Sequence, residues 1–249
     1  MSKKLSPDQR KGQIIQVALQ LFKEKGYENT SVECIIRAAG ISKGGFYHHY
    51  NSKEELLENI AQLFIGEVLA IMGEIAGRGD LSALEKTNAY LRQVNSYKTD
   101  KAVEVSALLS ELYSGGKNTR LENLIFDYAR KQIAPVMKSI IVQGIKEGEF
   151  ATDYPEEAAE VYVKLFLLHQ NEMAEAGAKA LQERNKEQQK IILETMKRKY
   201  MFLQQMLEDM LGLKKGSLVL VEIANDTMEK LSKKLLGDGC TLTGDKQSS

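Results

Sequence analysis

Helix-start signals crowd the first 55 residues of this chain, and that punctuation constrains the fold more than any other feature. Ser6-Pro7-Asp8-Gln9 combines a capping hydroxyl, a proline at the first helical position and a glutamine that can close a capping box. Ile14, Ala18, Leu21 and Phe22 then recur on one helical face, and Gly26 is placed to end the helix. Thr30-Ser31-Val32-Glu33 is a second box, opening a short segment whose Val32, Ile35, Ile36 and Ala39 can face the first helix, with Gly40 as its stop. Ser42 can cap a further short helix over Lys43 to Tyr50, and Ser52-Lys53-Glu54-Glu55 opens a long apolar-periodic one. Four helices started this close together have to pack on one another as a small cluster.

The remainder of the 249 residues reads the same way. Only 3 prolines occur among abundant Leu, Ala, Glu, Lys and Gln, the residues that lose least freedom in a helix, so the expected fold class is all-α. The fourth helix runs towards Gly77-Arg78-Gly79-Asp80, and helices follow over about 81–97, 101–113 and 118–147, the last interrupted at Pro135. Pro155-Glu156-Glu157 starts another. The Lys-, Glu- and Gln-rich stretch 177–190 fits an exposed helix or a connecting arm equally well. Apolar residues resume over Ile191 to Leu211, and a final helix around Leu218 to Leu236 precedes a polar tail that is expected to be disordered.

Charge balances overall, 34 basic residues against 34 acidic, yet its distribution is lopsided. Residues 1–53 hold nine Lys or Arg and four Asp or Glu, a net of +5, and the rest of the chain carries the compensating −5. That is the footprint of a protein that meets a polyanion with one end. Cys34 and Cys240 lie far apart without metal-binding spacing and read as a core thiol and a tail thiol. The start lacks an apolar leader, and runs such as Val161 to Leu168 meet charge well before the roughly 18 residues a membrane span needs, so a cytoplasmic protein with no membrane partner is expected. No nucleophile motif, phosphate-cradling loop or complete metal set appears, which points away from catalysis and gives no catalytic residue, no metal site and no cofactor.

Two short helices joined through Gly40-Ile41-Ser42 have the proportions of a helix-turn-helix, whose second helix enters a DNA major groove. Lys43-Gly44-Gly45 brings a cation and two residues without side chains to the start of that helix, where backbone can approach phosphate or base edges; Phe46 supplies a buried anchor. Residues Gly26 to Leu56, GYENTSVECIIRAAGISKGGFYHHYNSKEEL, resemble the DNA-binding module of the TetR-type (TetR/AcrR) transcriptional regulators, an all-helical family of homodimeric repressors. The resemblance implies a three-helix helix-turn-helix domain over 1–52 and a larger helical effector-binding and dimerisation domain over 53–249. It also implies that Thr30 and Ser31 hold a phosphate, that Ser42, Lys43, Gly44 and Gly45 meet bases and backbone, that Tyr47 and His48 hydrogen-bond phosphates, and that Lys53 clamps another. Gly45, Tyr50 and Ile36 depart from the usual pattern, where a larger residue, a phenylalanine and an alanine are common; the first bears on base preference.

By the same resemblance, the partners are a palindromic double-stranded operator, a second copy of the chain and a small-molecule effector. The apolar segments within 155–175 and 191–211 are the candidates for the dimer contact, with 218–236 as competitor. Phe64, Met72, Tyr113, Tyr128, Phe166 and His169 are candidate effector-lining residues. The competing reading from another class is a helical enzyme or a metal-bundle protein, to which the pair His169 and Glu172 offers a single hint.

Overall fold

The computed structural model describes residues 6–100 and 119–236. Ten helices lie among these residues: α1 (Pro7–Lys25), α2 (Val32–Ala39), α3 (Lys43–Tyr47), α4 (Lys53–Ala76), α5 (Ala83–Asp100), α6 (Thr119–Gln132), α7 (Ala134–Glu147), α8 (Pro155–Gln182), α9 (Lys186–Leu211) and α10 (Leu220–Leu236). The fold is all-α, as the composition requires. The helix expected over 101–113 and the polar tail, with Tyr113 and Cys240, lie outside the described residues. Of the described residues, 6–68 and 119–129 form one compact unit and 69–100 and 130–236 a second.

The first unit is built on its caps. Ser6 and Gln9 exchange hydrogen bonds, the Gln9 amide donating to Ser6 Oγ at 3.2 Å and the Ser6 amide to Gln9 Oε1 at 2.9 Å, so the box read from the sequence starts α1. Ile14, Ala18, Leu21 and Phe22 are buried, and Phe22 meets Tyr27 edge-on with ring centroids 5.2 Å apart. The second box is shifted by one residue from its expected place. Ser31, not Thr30, caps α2, accepting from the Cys34 amide at 3.2 Å, while the fully buried Thr30 hydroxyl donates to Gly26 O at 2.8 Å and closes the turn after α1. In the third box the Glu55 amide donates to Ser52 Oγ, and the Glu55 carboxylate reaches back one residue further than expected, to the Asn51 amide at 2.7 Å. The helix expected over Lys43 to Tyr50 ends at Tyr47; the amides of His49 and Tyr50 both turn back to Phe46 O, and Tyr50 dips fully into the core.

In the second unit the packed neighbours form a closed cycle: α5 lies on α7, α7 on α8, α8 on α9, α9 on α10 and α10 on α5. The interruption anticipated at Pro135 falls at Ile133, which leaves the proline in the first turn of α7, where no amide is needed. The ambiguous 177–190 stretch is helical at both ends. α8 continues to Gln182, and Asn185 Oδ1 accepts from the amides of Glu187 and Gln188 at 2.9 and 3.2 Å to start α9.

Buried polar side chains hold the helix ends of this unit. Glu208, 2% exposed, accepts from the Leu218 amide at 2.9 Å, the Gly216 amide at 3.1 Å and Gln204 Nε2 at 3.0 Å, and thereby shapes the connection into α10. Gln204 Oε1 in turn accepts from the Val221 amide, and Asn88 from α5 bonds Ser217 O and the Val219 amide. Lys86, also buried, donates to Ala76 O and Gln143 Oε1, satisfying the last carbonyl of α4. Leaving such donors and acceptors unpaired costs about 1–3 kcal/mol per group. Glu208→Ala strips three donors of their acceptor at once and is expected to lower stability by roughly 2–5 kcal/mol, read as an earlier midpoint in urea unfolding followed by circular dichroism.

Candidate nucleic-acid interface

The geometry of the interface starts at Gly40. Its φ of 64° lies in the left-handed region, and its amide and that of Ile41 turn back to Arg37 O and Ile36 O, which ends α2 tightly. A residue with a Cβ pays for that conformation; glycine does not. Two residues later the Ser42 hydroxyl accepts from the Gly45 amide at 3.0 Å and starts α3. Phe46 is wholly buried against Tyr50 and Tyr47, with centroids 5.9 and 5.5 Å away, and fixes the rotation of this five-residue helix. The outward face then falls to Ser42, Lys43, Gly44, Tyr47 and His48, all exposed. Tyr47 leaves 43% of its surface in solvent, and Lys43 Nζ lies 6.0 Å from its ring centroid.

The two glycines differ in what they permit. A Cβ on Gly44 would meet nothing nearer than Ser42 Oγ at 4.0 Å, so the protein itself does not need the space. Glycine weakens a helix by about 1 kcal/mol relative to alanine, and the open surface at Gly44 is what a close-approaching backbone or base edge would use. A Cβ on Gly45 would press on Ser42 Oγ at 3.3 Å and Ile41 Cβ at 3.7 Å, which gives this glycine an internal reason as well.

Ser31 is exposed at the start of α2, beside the turn that holds Thr30. The expectation that Thr30 offers a hydroxyl to phosphate does not fit this geometry: the side chain is sealed from solvent and its proton is spent on Gly26 O. Lys53, in the first turn of α4, donates from Nζ to Tyr27 O and Thr30 O, both at 2.9 Å, and lies 4.0 Å from the Tyr27 ring centroid. An ammonium has three protons, so two carbonyls fix this cation in place and leave one donor. The Arg120 guanidinium lies 5.5 Å from the same ring and 3.6 Å from Glu54 Oε1. Burial, and next the Glu54 charge, push the Tyr27 phenol up to about 12, which keeps it a neutral donor to Glu54 at 3.2 Å. This cluster of Tyr27, Lys53, Glu54 and Arg120 was not singled out in the sequence, although the glycine-aromatic pair Gly26-Tyr27 was part of the resemblance.

The candidate effector residues are scattered by comparison. Phe166 and His169 are buried on α8, and Met72 is buried on α4, all within the second unit. Tyr128, half-buried on α6, belongs to the first unit. Tyr113 and the Phe64 side chain lie outside the described residues. What surrounds Phe166 is an aromatic group that sequence reading missed: Tyr90 of α5 at 5.8 Å and Tyr162 at 6.2 Å, the latter nearly parallel, with Tyr200 of α9 edge-on to His169 at 4.4 Å. The signal available was the recurrence Tyr162, Phe166, His169 on one face of α8.

Comparison with known proteins bears directly on the first unit. The family described as bacterial regulatory proteins, tetR family, matches residues 14–60. The transcriptional repressor KstR2 of Rhodococcus jostii is 28% identical over 153 residues, 60% of this chain and 72% of that protein. The negative regulator of the biofilm operon, IcaR of Staphylococcus epidermidis, is 40% identical over 63 residues, 24% of this chain and 34% of its own length. Among solved structures, Salmonella enterica GusR superposes with a TM-score of 0.56 at 21% identity, over 85% of this chain and 100% of that one, which extends the likeness of fold beyond the reader. The matched segment 14–60 contains the turn at Gly40 and the exposed polar face of α3, so this part of the chain is similar to the DNA-binding module of tetR-family regulators, and the likeness to GusR is one of fold.

Proposed function

We propose that the protein is a repressor that grips a palindromic operator as a homodimer in the cytoplasm and releases it when a small molecule enters the helical body. The observation that carries the reading is the face of α3, where Ser42, Lys43, Gly44, Tyr47 and His48 are exposed together on a helix locked by Phe46. In this reading the face, within residues 1–52, meets bases and backbone, Gly44 with Gly45 lets α3 approach closely, and Ser31 at the start of α2 and Lys53, just beyond that module at the start of α4, take flanking phosphates. Few of these side chains can make two hydrogen bonds to one base, so most of the affinity comes from phosphate and falls steeply with salt. KstR2 and IcaR, by their descriptions a repressor and a negative regulator, support repression over activation.

A single α3 spans few base pairs, and a palindrome read at about 34–36 Å spacing requires two copies. The region 53–249 supplies the contact. α8 and α9 run side by side, tied by Lys199 Nζ to Glu172 at 2.7 Å, and expose Val161 and Leu168 on α8 and Met201 and Phe202 on α9. Apolar side chains left in solvent on two adjacent helices are what a twofold four-helix contact buries. The effector site is the aromatic group of the second unit. Tyr162 is 1% exposed and its hydroxyl has no hydrogen-bond partner among the described residues, a cost that a ligand with an acceptor group removes. Binding there shifts the population towards a state that fits the operator less well.

Duplexes selected from a random pool test the DNA contacts: Lys43→Ala and Tyr47→Ala are each expected to weaken binding by roughly 5- to 100-fold, equivalent to about 1–3 kcal/mol, by fluorescence anisotropy, and unchanged affinity in both rejects the assignment. Phe202 is 65% exposed, so Phe202→Glu leaves the fold intact; sedimentation velocity is expected to find the variant monomeric at concentrations where the parent is a dimer. A compound library screened by thermal shift and then by operator release tests the switch, because only an effector both raises the melting temperature and frees the DNA.

A further inference from the structure

A groove of about 660 Å³ lies alongside the recognition helix, between the first turn of α1 and the flank of α3 that carries Ser42, Gly45, His48 and His49. Of the residues already assigned to bases and nearby backbone, Lys43, Gly44 and Tyr47 lie outside this lining, whereas Ser42 and His48 border both. Pro7, Arg10, Gly40 and Ile41 complete the lining, and no carboxylate is among the lining residues. Arg10 is braced for a task at this spot. Its Nη1 donates to Gln13 Oε1 at 2.8 Å, and Gln13 Nε2 donates to Ala39 O at 3.2 Å, so the guanidinium is pinned through Gln13 to the carbonyl end of α2, one residue before Gly40. Among the described residues no carboxylate forms an ion pair with Arg10.

We propose that this groove seats a second backbone phosphate of the duplex, on the opposite side of α3 from Lys43, with Arg10 as the anchoring cation, Gln13 as the residue that positions it, and the two histidines as hydrogen-bond donors. The inference rests on the DNA-binding reading of α3. A guanidinium with one N–H committed to Gln13 retains a fork of donors matched to phosphate oxygens. The surroundings are electrostatically ready for an anion. Burial, followed by the charges of His48, Lys11 and Arg10, holds the His49 imidazole below its ordinary value of 6.5, and those repulsions are what a phosphate in the groove reverses. The flanks of α3 then address two strands: one row of side chains enters the major groove, and the other, with the start of α1, closes on the sugar-phosphate ridge.

The salt dependence of duplex binding separates a phosphate contact from a merely structural arginine. Log affinity falls linearly with log salt, with a slope set by the number of phosphates neutralised, so removing one contact flattens the slope by about 0.9. Duplexes recovered from a random pool, and an arbitrary duplex of equal length, are titrated by anisotropy between 50 and about 200 mM chloride. Arg10→Gln is expected to flatten the slope by about 0.9 per subunit on both duplexes without changing the preferred sequence, Arg10→Lys to keep the parental slope, and Gln13→Ala to weaken binding at the parental slope. Thermal melting of each variant separates a folding defect from a lost contact. An unchanged slope in Arg10→Gln, with Lys43→Ala still weakening binding, overturns this inference and leaves the α3 assignment standing; a parent that binds neither duplex overturns both. Replacing chloride by orthophosphate at equal ionic strength distinguishes a free anion from the duplex: displacement specific to orthophosphate and lost in Arg10→Gln rejects the duplex seat. Protons follow the same contact. Affinity of the parent is expected to be higher at pH 6 than at pH 8 because phosphate favours the charged imidazole, and a parent whose affinity is equal at both rejects a contact made by charged histidine.

Discussion

The left-handed turn at Gly40 is the constraint on which the DNA-facing surface depends. It ends α2 in a single residue and lets Ser42 cap a helix too short to be stable alone. Orientation then comes from outside α3. Phe46 is drawn into the core with Tyr50, the Ser42 cap sets the start, and Gln13 from α1 holds the last carbonyl of α2. Five residues with two glycines would sample many conformations in isolation; between these fixed points they present one face.

Around that turn, charge is arranged with unequal rigidity. Lys53 is held by two carbonyls and the Tyr27 ring, and Arg10 by Gln13, whereas Lys43 rests only against Tyr47 at the edge of cation–π range. In the proposed complex the braced cations meet the uniform, sequence-independent phosphate backbone, for which a fixed position saves ordering entropy on binding. In the same proposal the freer lysine faces the bases, where the side chain has to adapt to the step it meets. The proposed division between positioning and reading contacts thus follows how each side chain is tethered.

The second unit uses polarity for a different end. Its apolar helices could slide along one another at little cost, and Glu208, Gln204, Asn88, Lys86 and Gln189 fix their ends through buried hydrogen bonds to backbone groups. Each has an obligatory partner, so register is specified and not merely favoured. Against that frame the Tyr162 hydroxyl stands out, as do Val161 and Leu168 on α8 and Met201 and Phe202 on α9, apolar side chains left in solvent.

Sequence alone determined where most of the described helices begin and the outward residues of α3. Capping boxes, prolines and glycine stops act within four or five residues of themselves, and so Ser6, Gly40, Ser42 and Ser52 could be read without knowing the fold. The short-range rules also failed locally where tertiary packing intervened. Thr30 ranks as a good cap in isolation, yet burial between α1 and α2 diverts its hydroxyl to Gly26 O and hands the cap to Ser31; α3 stops at Tyr47 because Tyr50 is worth more in the core than in another helical turn. Beyond reach of any local rule were the bracing of Arg10 and Lys53 and the gathering of Tyr90 and Tyr200 around the Tyr162, Phe166 and His169 face of α8, which brings three helices together. Such groupings depend on which helix faces lie against each other, a choice made by burial summed over the whole chain and not by neighbours in sequence.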